Sequence, residues 1–259
     1  MAIGHSFVEL ESVDSTNNYA MALANSGKAK HGTLFFAHHQ WAGKGQRGRT
    51  WDSQPGENII LSVVLEPVAF PPSAAFGLSA TVALACHDFF SRHATDGVTI
   101  KWPNDLYWND RKAGGILIEN QFKGSEWLLA VAGMGININQ VEFDVTASRL
   151  VSTSGHPASA ALRPVSLRQI TGRTFDVPAL ARELGECLDH RYAQWEAGGF
   201  NRLMEDYNHV LYRRGKEVQL RKDNAVFRTT IEGVSPQGEL LTSDVMRRQF
   251  QFGEVEWVI

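Results

Sequence analysis

The sequence predicts an α/β (α+β) fold: a mixed β-sheet with flanking helices, then a small C-terminal β module. Three observations carry this. Short apolar strand patterns alternate with helical patterns as far as residue 208. Residues 73–93 form one long apolar stretch with the length of a core helix. After Tyr212 the texture changes to five short strand patterns in about fifty residues, separated by turns such as Pro236-Gln237-Gly238. With 259 residues, 43% of them hydrophobic, the chain can build one large unit (1–211) and one small one (212–259) around a real core.

Taken in order, residues 7–13 read as a strand. Residues 16–26 read as a helix, capped by Asp14 or Ser15 and ended by Gly27. Strands follow at 32–38 and 59–65. The intervening stretch is rich in Gly, Arg, Gln, Ser and Pro, and a loop of that length inside a domain is usually functional. The helix at 73–93 leads to a strand at 98–102, which Pro103 stops because it has no N–H for the ladder. Residues 106–108 and 116–119 read as a hairpin about Asn109-Asp110, and 127–139 as a strand containing Gly133 and Gly135. Residues 167–170 and 178–208 are helical. The C-terminal strands are expected at 216–221, 226–234, 239–242, 248–252 and 255–259.

The formal net charge is -3, so no global basic excess points to non-specific nucleic-acid binding. Locally the balance differs. Between Gln40 and Trp51 stand Lys44, Arg47 and Arg49 with no carboxylate, which suggests a small anionic ligand. Cys86 and Cys187 lie in apolar contexts and read as two buried thiols of a reducing compartment. The N-terminal residues lack the pattern of a signal peptide, and no run of about 18 apolar residues is evident, so no membrane span and a cytoplasmic location are expected.

Four constellations carry chemistry. Gly43-Lys44-Gly45-Gln46-Arg47-Gly48 matches GxGxxG, but the residues that follow make a poor helix, which removes the dinucleotide reading. What remains is a glycine-rich loop whose amides can approach an anion, with Arg47 and Arg49 as planar donors. Lys101-Trp102-Pro103-Asn104-Asp105 places Asn104 and Asp105 at a strand exit. An Asx-type turn explains them as well as a ligand role does. Lys112 precedes Ala113, Gly114 and Gly115 on the hairpin. It either reaches into a cleft or stands in solvent, and chemistry alone favours solvent. Glycines 133 and 135 within a strand mark close approach by a ligand or a second backbone, with Asn137 beside them. Near the start, Ser15-Thr16-Asn17 stacks three polar groups where capping accounts for one.

In this order, the motifs resemble the biotin–protein ligase family, strongly over about residues 9–140. The resemblance implies a class II aminoacyl-tRNA synthetase-like catalytic domain with an SH3-like C-terminal β-barrel. It also implies two reactions. Biotin and MgATP form biotinyl-5′-AMP, and biotin then passes to a lysine of a biotin carboxyl carrier domain. By the same resemblance Ser15, Thr16, Asn17, Gln40, Gly43, Lys44, Gly45, Gln46, Lys112, Gly114 and Gly115 are expected to bind biotin. Arg47, Arg49, Trp51, Asn58, Lys101, Asn104 and Asn137 are expected to serve ATP and the adenylate. Lys112, Asp105 and Arg47 are the expected catalytic residues, with Asp105 positioning or deprotonating the carrier lysine. No protein ligand for Mg²⁺ is directly predicted, although an Asp beside a nucleotide, such as Asp105, could hold Mg²⁺ or a substrate amine. A homodimer is compatible with the family.

The chain departs from the family pattern in the loop. Where GRGRxG is usual, Lys44 and Gln46 stand, so two planar forks and one charge are lost. Some members carry an N-terminal helix-turn-helix domain. This sequence opens almost at the catalytic motifs, so no DNA-binding role is expected. The competing readings are a lipoate–protein ligase, a non-catalytic biotin-binding module, and a nucleic-acid-binding barrel that lacks the necessary aromatic–basic stripe.

Overall fold

The computed structural model describes residues 2–143 and 164–258. Seven strands form one mixed sheet in the order β1-β2-β3-β7-β6-β5-β4. They are β1 Ser6–Val13, β2 Thr33–Gln40, β3 Asn58–Leu65, β4 Val98–Lys101, β5 Asp105–Trp108, β6 Arg111–Lys123 and β7 Glu126–Asn137. Only β1 and β2 pair in parallel, across the helix α1 (Thr16–Asn25) that connects them. The chain after β7 adds α3 (Leu167–Thr171), α4 (Val177–Glu196) and α5 (Phe200–His209).

The two faces of the sheet follow from strand periodicity. In β2, Leu34 and Phe36 join the main core while Phe35 turns to the other face. In β3, Leu61, Val63 and Leu65 face the main core while Val64 faces away. The main face is covered by α2 (Ala75–His93) and α4. The opposite face is covered by α1 through Ala20, which packs with Phe35, Val64 and Val131. With both faces buried, β3 reads as a continuous apolar run, interrupted only by Ser62 on the α1 face.

Three expectations are corrected here. The most apolar window within Pro72–His93 has a mean hydropathy of 1.2, and the stretch is long and apolar enough to cross a bilayer by length and composition. Ser79, Thr81, His87 and Asp88 break its apolar run. Sixty-one per cent of its most apolar window is buried in the fold, as in a core helix. The single helix expected over 178–208 is two helices, parted at Gly198-Gly199, where Gly198 adopts φ +85°. Ser15 occupies the N-cap of α1, but its side chain makes no cap hydrogen bond. Both cysteines are buried free thiols, and burial pushes Cys187 up to about 11.

The C-terminal strands are β8 Glu217–Lys222, β9 Ala225–Val234, β10 Leu240–Ser243, β11 Arg247–Phe250 and β12 Glu256–Val258. They form a five-stranded antiparallel sheet ordered β11-β10-β9-β8-β12. It packs onto the first sheet through shared core residues such as Leu220, Ile231 and Phe250. The main chain of Val210 and Tyr212 brackets Ile100 of β4 with hydrogen bonds of 2.9 Å each.

Candidate active site

The site lies on the α1 face of the large sheet, beyond the N-terminus of that helix. Directly opposed residues share a face, so the ladder itself sets out the floor. Ser62 pairs with Gly133, and Gly133 with Leu117. One row further on, Lys101 pairs with Asp105, Asp105 with Gly115 and Gly115 with Gly135. The first row meets α1 and the second does not, so the second has space above it.

The first row builds a polar corner of neutral side chains with the Glu119 carboxylate at its edge. Ser62 Oγ is 2.7 Å from both Thr16 Oγ1 and Asn17 Oδ1. Thr16 N–H donates to Gln40 Oε1 at 2.8 Å. Asn17 Nδ2 donates to the Leu117 carbonyl at 3.2 Å and to the Glu119 carboxylate at 2.9 Å. Gly133 is required here, because a Cβ would run into Asn17 Oδ1.

The second row supplies charge. Lys112 Nζ lies 2.7 Å from Asp105 Oδ1. In an unbroken strand Lys112 and Gly115 would face opposite ways. The β5–β6 register slips at Ala113, so that Tyr107 pairs with Lys112 but Leu106 with Gly114. This bulge turns Lys112 onto the face of Gly115, where a Cβ would sit 3.4 Å from Nζ. Lys112 is therefore no solvent-facing hairpin lysine. Lys101 Nζ donates to Tyr107 Oη at 3.1 Å. Burial pushes Lys101 down to about 8 against the pull of Asp105, and Lys112 and Arg49 depress it further. Trp51 seats its indole on the bare glycine strip, 2.5 Å from a Cβ placed at Gly135. Trp51 Nε1 is buried against the same strip, with no partner among the described residues.

The glycine-rich segment is a closed hairpin rather than an irregular loop. Trp51 N–H donates to the Gly43 carbonyl at 2.9 Å and Gly45 N–H to the Arg49 carbonyl at 2.7 Å. A 3-10 turn over Gln46–Gly48 forms the crest, with Arg47 at φ 56°. Beneath it opens a cavity of about 380 Å³ lined by Gly43, Lys44, Gly45, Gly48, Arg49, Thr50, Leu117 and Glu119.

Gly43, Lys44, Gly45 and Arg49 line this cavity, while Thr16, Asn17 and Gln40 form the polar corner and Trp51, Lys101, Asp105, Lys112 and Gly115 the charged row beside it. Ser15 is buried beside them. Others turn elsewhere. Arg47 points away from the cavity, with its guanidinium 5.0 Å from the Phe252 ring centre. Asn58 donates to Gln140 Oε1 at 2.5 Å and accepts from Ile138 N–H at 3.0 Å, so both ends serve the sheet. Asn137 donates to the carbonyls of Lys112 and Val165. Asn104 Nδ2 donates to the Ile116 carbonyl at 2.6 Å, clamping β6. Gly114 gives room to Ile136 rather than to a ligand. Ser62 and Glu119 belong to the site and were missed. Each is a polar residue on an otherwise apolar or glycine-bearing strand face, which was the available signal. Glu119 also lies 3.5 Å from Lys44 Nζ.

The family described as Biotin/lipoate A/B protein ligase matches residues 9–137. A Paracoccus denitrificans protein named biotin–[acetyl-CoA-carboxylase] ligase is 30% identical over 248 residues, covering 93% of this chain and 95% of its own. The chain belongs to the biotin–protein ligase family. The Escherichia coli bifunctional ligase/repressor BirA is 40% identical over 135 residues, 52% of this chain; the match spans only 41% of that relative's length. The biotin protein ligase of Aquifex aeolicus, solved in complex with biotin and ATP, superposes with a TM-score of 0.77 at 22% identity, covering 97% of this chain and 98% of that one. This biotin–protein ligase relative therefore shares the complete two-sheet fold.

Proposed function

We propose that this chain activates biotin with ATP to biotinyl-5′-AMP and transfers biotin to a lysine of a biotin carboxyl carrier domain. The observation that carries the reading is the adjacency of two unlike half-sites on one sheet face. A neutral corner of Thr16, Asn17, Ser62 and Gln40 suits an uncharged cyclic urea. The neighbouring row offers Lys112, Lys101 and Arg49 for anions.

Adenylation brings a carboxylate against a triphosphate, and their repulsion must be offset by fixed cations. Lys112 is placed for the carboxyl and then the acyl phosphate oxygen, with Arg49 and Lys101 toward the phosphates. A carboxylate oxygen attacks the α-phosphorus and pyrophosphate leaves. Trp51 supplies a flat face for the nucleotide. In the second step the carrier amine attacks the acyl carbon and AMP departs; Asp105, released from Lys112 once that lysine engages the acyl phosphate, accepts or orients the amine proton. Mg²⁺ arrives with the nucleotide and is held chiefly by its phosphates. The reading assigns catalysis to 1–211 with 212–259 as its C-terminal module, and a cytoplasmic setting.

The test is to incubate the protein with MgATP, biotin and an apo carrier domain, then probe the carrier with streptavidin. Label on the carrier is expected. Binding of biotin without transfer would reduce the protein to a biotin-binding module, and pyrophosphate exchange with lipoate but not biotin would overturn the substrate.

A further inference from the structure

The C-terminal sheet reaches across to the glycine-rich hairpin. Arg47, at the crest, lays its guanidinium against Phe252. Gly253 follows at φ +91°, and a Cβ there would run into the same guanidinium. Phe252 meets Trp102 edge-on at 6.2 Å, and Trp102 Nε1 donates to the Gly238 carbonyl at 2.9 Å. The ring is therefore braced from both sheets. It is also 49% exposed, so apolar burial does not account for its place. The same sheet sets Trp257 5.3 Å from Lys101 Nζ. Arg47 and Lys101 thus each rest on an aromatic face supplied by the C-terminal module.

We propose that Phe252 is a positioning residue for the nucleotide half of the reaction: its ring, with Gly253 beside it, holds Arg47 and so anchors the crest of the glycine-rich hairpin over the site. This rests on reading that hairpin as part of the ATP site. An aromatic face attracts a planar guanidinium through its quadrupole. Arg47 stands in a left-handed conformation that non-glycine residues rarely adopt, so a tertiary contact is needed to hold it. Phe252 acts only through Arg47. Its shape alone is not enough, which separates this role from simple packing.

The experiment uses the full chain and two readouts. In biotin-dependent pyrophosphate exchange, Phe252→Leu is expected to raise the KM for ATP about threefold to tenfold and to leave the KM for biotin within about twofold. Phe252→Tyr should restore the ATP value, and in an Arg47→Met background Phe252→Leu should add nothing. Independently of activity, amide hydrogen exchange over residues 43–51 should quicken in Phe252→Leu and not in Phe252→Tyr. Unchanged ATP KM and unchanged amide exchange in Phe252→Leu would overturn the proposal, as would effects of the Phe252 and Arg47 changes that simply add. Absence of exchange activity in the unmodified protein, with the amide difference present, would support the anchor and overturn instead the reading of the site.

Discussion

Lys112 Nζ and Asp105 Oδ1 are 2.7 Å apart, a cation and an anion held as a pair on adjacent strands. Each screens the other until a substrate anion competes for the lysine. Lys112→Ala removes the cation and leaves Asp105 facing the substrate carboxylate. Biotin-dependent pyrophosphate exchange should fall by more than about tenfold, on the order of 1.4 kcal/mol or greater in transition-state terms. Exchange at the level of the unmodified protein would show that Lys112 only neutralises Asp105.

Gly133 and Gly135 sit two residues apart but serve different halves of the floor. A methyl at 133 strikes Asn17, while one at 135 meets the Trp51 indole within 2.5–2.8 Å. Overpacking of this kind costs about 1–3 kcal/mol. Gly133→Ala should weaken biotin more than ATP, and Gly135→Ala should weaken ATP more than biotin. Isothermal titration with each ligand decides it; identical losses for both variants would dissolve the division into half-sites.

Lys101 provides a pH signature. Burial lowers it to about 8, so it is charged below that pH and neutral above it. An anionic nucleotide binds the charged form. ATP affinity should therefore decline as pH rises through about 8, and Lys101→Arg should remove that limb because guanidinium stays charged. The same depression opposes folding below pH 8, and the penalty is relieved as pH rises from 8 toward the unfolded value near 10.5. A flat ATP profile in the unmodified protein between pH 7 and 9 would sink the assignment.

Gln46 opens the crest turn at a position where the family pattern has arginine. A charge-assisted hydrogen bond contributes about 1.5–3 kcal/mol, so Gln46→Arg should slow biotinyl-adenylate release by roughly tenfold or more. Gel filtration of the preformed adenylate complex measures it. Equal release rates would show that the neighbouring cations already supply the retention.

The order and kind of every β-strand was readable from the sequence, because periodicity and glycine or proline punctuation are local signals. Gly43, Asp105 and Lys112 could be singled out for the same reason, their neighbours being chemically unusual. What escaped depends on partners far along the chain. Asn58 and Asn137 oppose each other across two strands and spend their amides on Gln140, Ile138, Lys112 and Val165; nothing near either residue announces this. Arg47 looked like a phosphate ligand until Phe252, some two hundred residues later, claimed it. The bulge at Ala113 escaped because a register slip reverses a side chain's face without altering composition.

The row Lys101, Asp105, Gly115 and Gly135 runs straight across four neighbouring strands, whereas the hairpin above it closes its main-chain hydrogen bonds on itself and meets the rest of the protein through side chains such as Arg47 and Lys44. These parts have different lifetimes. Strands with two paired neighbours, as β5, β6 and β7 have, open only when the whole sheet does, while a hairpin with few outside main-chain bonds opens on its own and far more often. The protein thus carries two stabilities, a high one for the floor and a low one for the roof. A bound adenylate has most to add to the lower. Heating would therefore strip the roof first and leave a floor of intact chemistry open to water, so that wasteful hydrolysis of the adenylate should climb before the fold is lost.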